Sequence, residues 1–159
     1  MKVKILNTLR ELGFVIEERT SEAFEFEYEG RNYLYLYNDD DQDFINICMP
    51  AVAEFEDSED LHLYKVADKM NATLKYVKTY RYGDSLWLYY EREAFSEEED
   101  LKEILTRMIY RLEGAYNFIG KALKDTDDND DTDEIIDMPA DDDDVFINDT
   151  DDDDGKGDD

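Results

Sequence analysis

Apolar positions recur along this chain with two different periods, and the switches between them outline its elements. Ile5, Leu6, Leu9 and Leu12 fall at helical spacing and Gly13 stands where a left-handed cap ends many helices, so residues 2 to 12 predict a short amphipathic helix. Alternation then takes over. Phe24, Phe26 and Tyr28 interleave with Glu25 and Glu27, Glu29-Gly30 turns the chain, and Tyr33, Tyr35 and Tyr37 interleave with Leu34 and Leu36, which predicts a hairpin. With a two-residue loop, Phe26 faces Tyr33 and Phe24 faces Tyr35. An acidic turn, Asn38 to Asp43, leads into Phe44, Ile45, Ile47, Cys48 and Met49, a third strand that is apolar on both sides until Pro50 and therefore central.

Helical spacing returns at Leu63, Val66, Ala67, Met70 and Leu74, a second helix over about 59 to 73. A second hairpin follows, 76 to 82 and 85 to 92, around the two-residue loop Gly83-Asp84. Ser96 with Glu99 fits a capping box before an apolar stripe from Leu101 through Ile104, Leu105, Met108, Leu112 and Ala115 to Ile119, so the third helix spans about 97 to 122. The order α-β-β-β-α-β-β-α predicts an α+β domain: a five-stranded antiparallel sheet with the first and third helices on its aliphatic face.

Charge then divides the chain. It carries 45 acids, 17 bases and a net charge of −28. Residues 125 to 159 hold 19 of those acids and one base, Lys156, leaving residues 1 to 124 at net −10. Like-charged runs with few apolar residues cannot bury enough surface to offset the entropy of ordering, so the expected organisation is one domain over 1 to 124 and a disordered Asp-rich tail over 125 to 159. Two apolar islands interrupt the tail, Ile135-Ile136 and Val145-Phe146-Ile147. Acidic segments with such islands can dock on a basic-rimmed groove or add a strand to a sheet edge.

Leu12-Gly13-Phe14 closing the first helix, and Val66-Ala67-Asp68-Lys69-Met70-Asn71 leading through Lys78 into the second hairpin, give the region 1 to 122 a resemblance. In these residues and in element order it resembles the YbjN-like bacterial proteins and the fold of type III secretion chaperones. The resemblance implies a non-catalytic domain that pairs with itself as a homodimer or with a protein client. It supplies no active site and does not cover the tail.

The candidate chemistry agrees with a binding role. His62 is the sole histidine and no Cys-x-x-Cys motif accompanies Cys48, so metal sites and catalytic triads lack partners. Cys48, between Ile47 and Met49, reads as a small buried hydrophobe. Neither nucleotide-binding glycine motif is present. Asp127, Asn129 and Asp131 begin like a calcium loop, but Thr132 stands where that loop needs Gly and Met138 where it needs Glu. Neither a metal nor a cofactor is expected.

In the second hairpin, alternation sets Tyr76, Lys78, Tyr80, Tyr82, Trp87 and Tyr89 on one side and Val77, Thr79, Leu86, Leu88 and Tyr90 on the other. The aliphatic side suits helices; the Tyr/Trp side either takes a protein partner or packs beneath the second helix or a self-dimer. The candidate protein-binding residues are thus Tyr76, Lys78, Tyr80, Tyr82, Trp87 and Tyr89 with the tail residues Ile135, Ile136, Val145, Phe146 and Ile147. An acidic chain repels nucleic-acid phosphates and anionic membranes and attracts basic proteins. With no basic-then-apolar leader and no apolar run of spanning length, the expected setting is the cytoplasm. The expected function is a chaperone-like or regulatory adaptor whose tail engages a basic partner or covers its own binding surface. The alternative is an acidic nucleic-acid mimic that occupies a DNA-binding protein.

Overall fold

The structure, a computed structural model, describes residues 1–55, 61–94 and 100–128, with side chains as far as Leu123. Helix α1 is Lys2–Glu11. It ends because Gly13 takes a φ of +96°, which lets the Gly13 amide donate to the Arg10 carbonyl and the Phe14 amide to that of Leu9, satisfying two orphan carbonyls. Strands β1 (Glu17–Glu18), β2 (Ala23–Tyr28), β3 (Arg31–Leu36) and β4 (Phe44–Glu54) follow. Then come α2 (Leu61–Thr73), β5 (Val77–Tyr82), β6 (Ser85–Glu93) and α3 (Leu101–Asp128).

Among the described residues the sheet has six strands, where the sequence pattern predicts five. Its order is β1-β2-β3-β4-β6-β5, antiparallel throughout. The added strand is β1, two exposed glutamates that pair Glu17 with Glu25 and Glu18 with Phe24. Two polar residues carry no alternation to read. They become a strand because β2 offers an unpaired edge and the turn at Thr20 to Ala23 folds the chain back onto it, with Arg19 bonded to the Glu25 carboxylate.

The β2-β3 hairpin has the predicted register, Phe26 opposite Tyr33 and Phe24 opposite Tyr35, because Glu29 and Gly30 both adopt positive φ and close a mirror-image turn. Strand β4 runs past Pro50, where the sequence pattern ends it. Between Met49 and Ala53 three residues lie opposite Trp87 alone, a bulge in which Ala51 has a φ of +49°. Pro50 is tolerated because β3 pairs only with Asn46 to Cys48 of β4, so its missing N–H costs no bond on that side. The predicted cap Ser96 and its partner Glu99 lie outside the described residues. The described α3 begins at Leu101, capped by the Asp100 carboxylate, which accepts from the amides of Lys102 and Glu103, and it runs on to Asp128 instead of ending at 122.

All three helices join one core on one face of the sheet, including α2. Ile5 and Leu9 of α1, Leu63, Val66 and Met70 of α2, and Leu105, Met108, Leu112 and Ile119 of α3 are buried. They meet Phe24, Phe26, Tyr33, Tyr35, Ile45, Ile47, Val77, Leu86, Leu88 and Tyr90 of the sheet. Two ion-aromatic clusters tie α3 to the strands. Glu113 accepts from Arg31 at 2.6 and 2.7 Å and from the Tyr33 hydroxyl at 3.0 Å, while Arg31 lies 4.2 Å from the Tyr116 ring centre. Arg111 donates to the Tyr90 hydroxyl at 3.0 Å and covers the Tyr76 ring at 4.3 Å.

Candidate docking surface

Because α1, α2 and α3 share one face, the alternation along β5 and β6 decides which side chains are left on the other. Val77, Thr79, Leu86, Leu88 and Tyr90 point into the core. Lys78, Tyr80 and Tyr82 of β5 and Trp87 and Tyr89 of β6 point away from it, and no described element packs over them. The second helix therefore does not cover the Tyr/Trp side. It packs at the β5 edge on the core side, where the Asn71 side chain accepts from the Thr79 amide at 2.7 Å and the Thr79 hydroxyl donates to the Ala67 carbonyl at 3.1 Å. Those bonds occupy a backbone donor of the edge strand, so β5 is closed at Thr79 to an added strand.

The rings form a connected strip. Tyr82 lies 5.3 Å from Trp87, Trp87 stacks on Tyr89 at 6.1 Å and 19°, and Tyr80 meets Tyr89 edge-on at 5.8 Å. Tyr80 and Tyr82 are 62% and 65% exposed. Cys48 is opposite Tyr89 in the register and buried beneath the strip. Burial, then the Glu91 carboxylate, pushes its thiol pKa up to about 12, so it is unreactive near neutral pH. Tyr89 is likewise pushed up to about 12, chiefly by burial. Glu91 borders the strip, accepting from Lys78 at 3.0 Å and from Asn46 at 3.0 Å.

Tyr76 leaves this group. Strict alternation places it beside Lys78 and Tyr80, but its φ of +67° breaks the alternation before β5 begins. Its ring instead stacks on Tyr90 at 5.8 Å and 11°, on the α3 side beneath Arg111. The tail candidates Ile135, Ile136, Val145, Phe146 and Ile147 lie outside the described residues. So do Asn129 and Asp131, whereas Asp127, their proposed loop partner, is within α3. Among the described residues no group of three His, Cys, Asp or Glu side chains could hold a metal ion, and no helix is long and apolar enough to cross a membrane.

Sequence reasoning missed the arginines. Arg31, Arg81 and Arg111 each combine an aromatic face with a hydrogen bond. Arg81 lies 4.4 Å from the Phe55 ring centre, bonds the Tyr64 hydroxyl and reaches Asp84 at 3.5 Å. Their ring partners stand 17 to 85 positions away, so no local spacing could reveal them.

Fold and surface together define an α+β domain with a six-stranded antiparallel sheet, three helices on one face and an aromatic strip on the other. No protein-family model matches the chain, and no curated protein matches it. Among solved structures it is similar to YbjN from E. coli, described as a proposed transcription regulator, with a TM-score of 0.58 and 15% identity over 79% of this chain and 93% of that one. That likeness supports a YbjN-like fold and, at such low identity, nothing beyond the fold.

Proposed function

We propose that the protein is a non-catalytic protein-binding module, a chaperone-like or regulatory adaptor of the cytoplasm that uses its open sheet face as the docking surface. The observation that carries this reading is the strip of Tyr80, Tyr82, Trp87 and Tyr89 on the face the helices leave uncovered. Aromatic side chains give large contact area at small entropic cost and dominate binding hot spots. Lys78 and Glu91 supply a polar rim. A second copy of the chain is one partner such a face suits, and the acidic tail either engages a basic partner or covers the domain's own surface.

Site-specific photocrosslinking tests this. A photoreactive phenylalanine analogue in place of Tyr80 gives a discrete adduct in cells, and the same analogue in place of Tyr110, exposed on α3, does not. Trp87→Ala in the Tyr80-probe chain removes the adduct. Adducts of equal yield from both positions, or from neither, refute the assignment of this face.

A further inference from the structure

In a chain of net −28, residues 61 to 82 carry five bases, Lys65, Lys69, Lys75, Lys78 and Arg81, against one acid, Asp68, a local net of +4. The fold divides these bases: Lys78 lies on the open sheet face, paired with Glu91, while Lys65, Lys69 and Arg81 belong to the corner where α2 meets β5. α2 lies along β5, with Tyr64 against Arg81 and both Ala67 and Asn71 against Thr79. Lys65 and Lys69 are exposed, one helical turn apart, and neither has an ion-pair partner among the described residues. Like charges at that spacing oppose helix formation, so the pair is not there to stabilise α2. Leu61, one turn before Lys65, is 70% exposed, and Tyr64 is exposed beside it. The outer face of α2 is thus cationic with an apolar margin.

We infer that this face binds the chain's own Asp-rich C-terminal segment, within the same molecule. The 31 residues after Asp128 carry 16 acids and one base, together with the apolar islands Ile135-Ile136 and Val145-Phe146-Ile147. Charge and apolar content both complement the surface: carboxylates match Lys65 and Lys69, and the islands match Leu61 and Tyr64. Reach is sufficient wherever α3 ends, because a 31-residue coil spans about 30 Å (r.m.s.) while a domain of this size has a radius of gyration of about 14 Å. Tethering supplies an effective concentration on the order of 1 mM, so a contact with a Kd of roughly 0.1 mM is about nine-tenths occupied. An external acidic chain at micromolar concentration cannot match that. The inference deepens the tail's part in the proposed function by selecting the domain's own surface over a separate basic partner. It concerns α2, so its failure leaves the crosslinking test of the sheet face untouched.

The test is paramagnetic relaxation in the full-length protein. Cys48 is buried, so a nitroxide attaches to the thiol introduced by Asp151→Cys. At low salt the amide signals of Leu61 to Lys69 and of Arg81 broaden more than the rest of the domain. They recover in the Lys65→Glu, Lys69→Glu double variant, whose preserved chemical-shift dispersion shows that it folds. They also recover as salt rises toward 1 M, where screening acts within about 3 Å. Mixing nitroxide-bearing unlabelled chain with isotope-labelled chain lacking the nitroxide leaves them sharp. Broadening spread evenly over the domain, centred on Tyr80 and Trp87, or unchanged in the double variant overturns the inference. Broadening in the mixed sample assigns the contact to a second copy's tail and overturns it as well.

Discussion

Raising the pH should unfold this protein earlier than its exposed groups alone predict, because three of its most deeply buried side chains are weak acids. Tyr33, Tyr35 and Cys48 are fully buried, and burial is the leading cause that raises each pKa above its ordinary value of 10 for the phenols and 9 for the thiol. Glu113 adds to the effect at Tyr33. Each group keeps its proton in the folded state after the unfolded chain has lost it. Stability is therefore complete below pH 9 and falls as pH passes 9 for Cys48 and 10 for the tyrosines, by about 1.4 kcal/mol per pH unit for each group. At pH 11 the loss is about 1.4 kcal/mol from each tyrosine and roughly 2.7 kcal/mol from Cys48. The total, about 5.5 kcal/mol, is comparable with the whole stability of a small domain. Urea unfolding followed by circular dichroism at pH 8, 9, 10 and 11, at constant high salt to screen general charge repulsion, measures it. The Tyr35 hydroxyl is buried with no hydrogen-bond partner among the described residues, so Tyr35→Phe leaves stability at pH 8 unchanged or raised and recovers about 1.4 kcal/mol at pH 11. A urea midpoint that stays flat to pH 11, or Tyr35→Phe tracking the parent at every pH, refutes the reasoning.

Other outcomes follow from the same contacts. Glu113→Ala leaves Arg31 and the Tyr33 hydroxyl without their shared acceptor, and should cost about 2 kcal/mol and lower Tm by roughly 8 °C in calorimetry. Asn71→Ala exposes the β5 edge at Thr79, so hydrogen exchange at that amide accelerates, stability falls by about 1 kcal/mol, and edge-to-edge association becomes visible in sedimentation velocity. Gly13→Ala forces a Cβ into a φ of +96° and should cost about 1 to 2 kcal/mol in urea midpoint measurements, although open space surrounds the position. If the sheet face pairs two copies, Tyr80→Ala with Trp87→Ala shifts mass toward monomer in light scattering while changing Tm little, since Tyr80 is largely exposed.

Periodicity alone determined the helices, the two hairpins and the register of the first, because each is encoded within a few residues: apolar spacing, a Gly at a left-handed position, two residues per turn. Alternation also separated the aliphatic from the aromatic side of the second hairpin. What it could not supply were features that depend on neighbours far along the chain. β1 exists only because β2 has a free edge, and two glutamates carry no pattern that announces it. β4 passes Pro50 because its β3 partner ends at Cys48, a fact of pairing and not of the strand's own residues. Tyr76 leaves the aromatic strip because a single positive φ resets the alternation on which that grouping relied. The arginine clusters at Arg31, Arg81 and Arg111 had no signal at all, since guanidinium and ring meet only after α2 and α3 dock. Local spacing encodes what each segment can be, while the face it occupies is set by which other segments bury it, and that placement left Lys78 on the open sheet face while Arg81 met Tyr64 of α2.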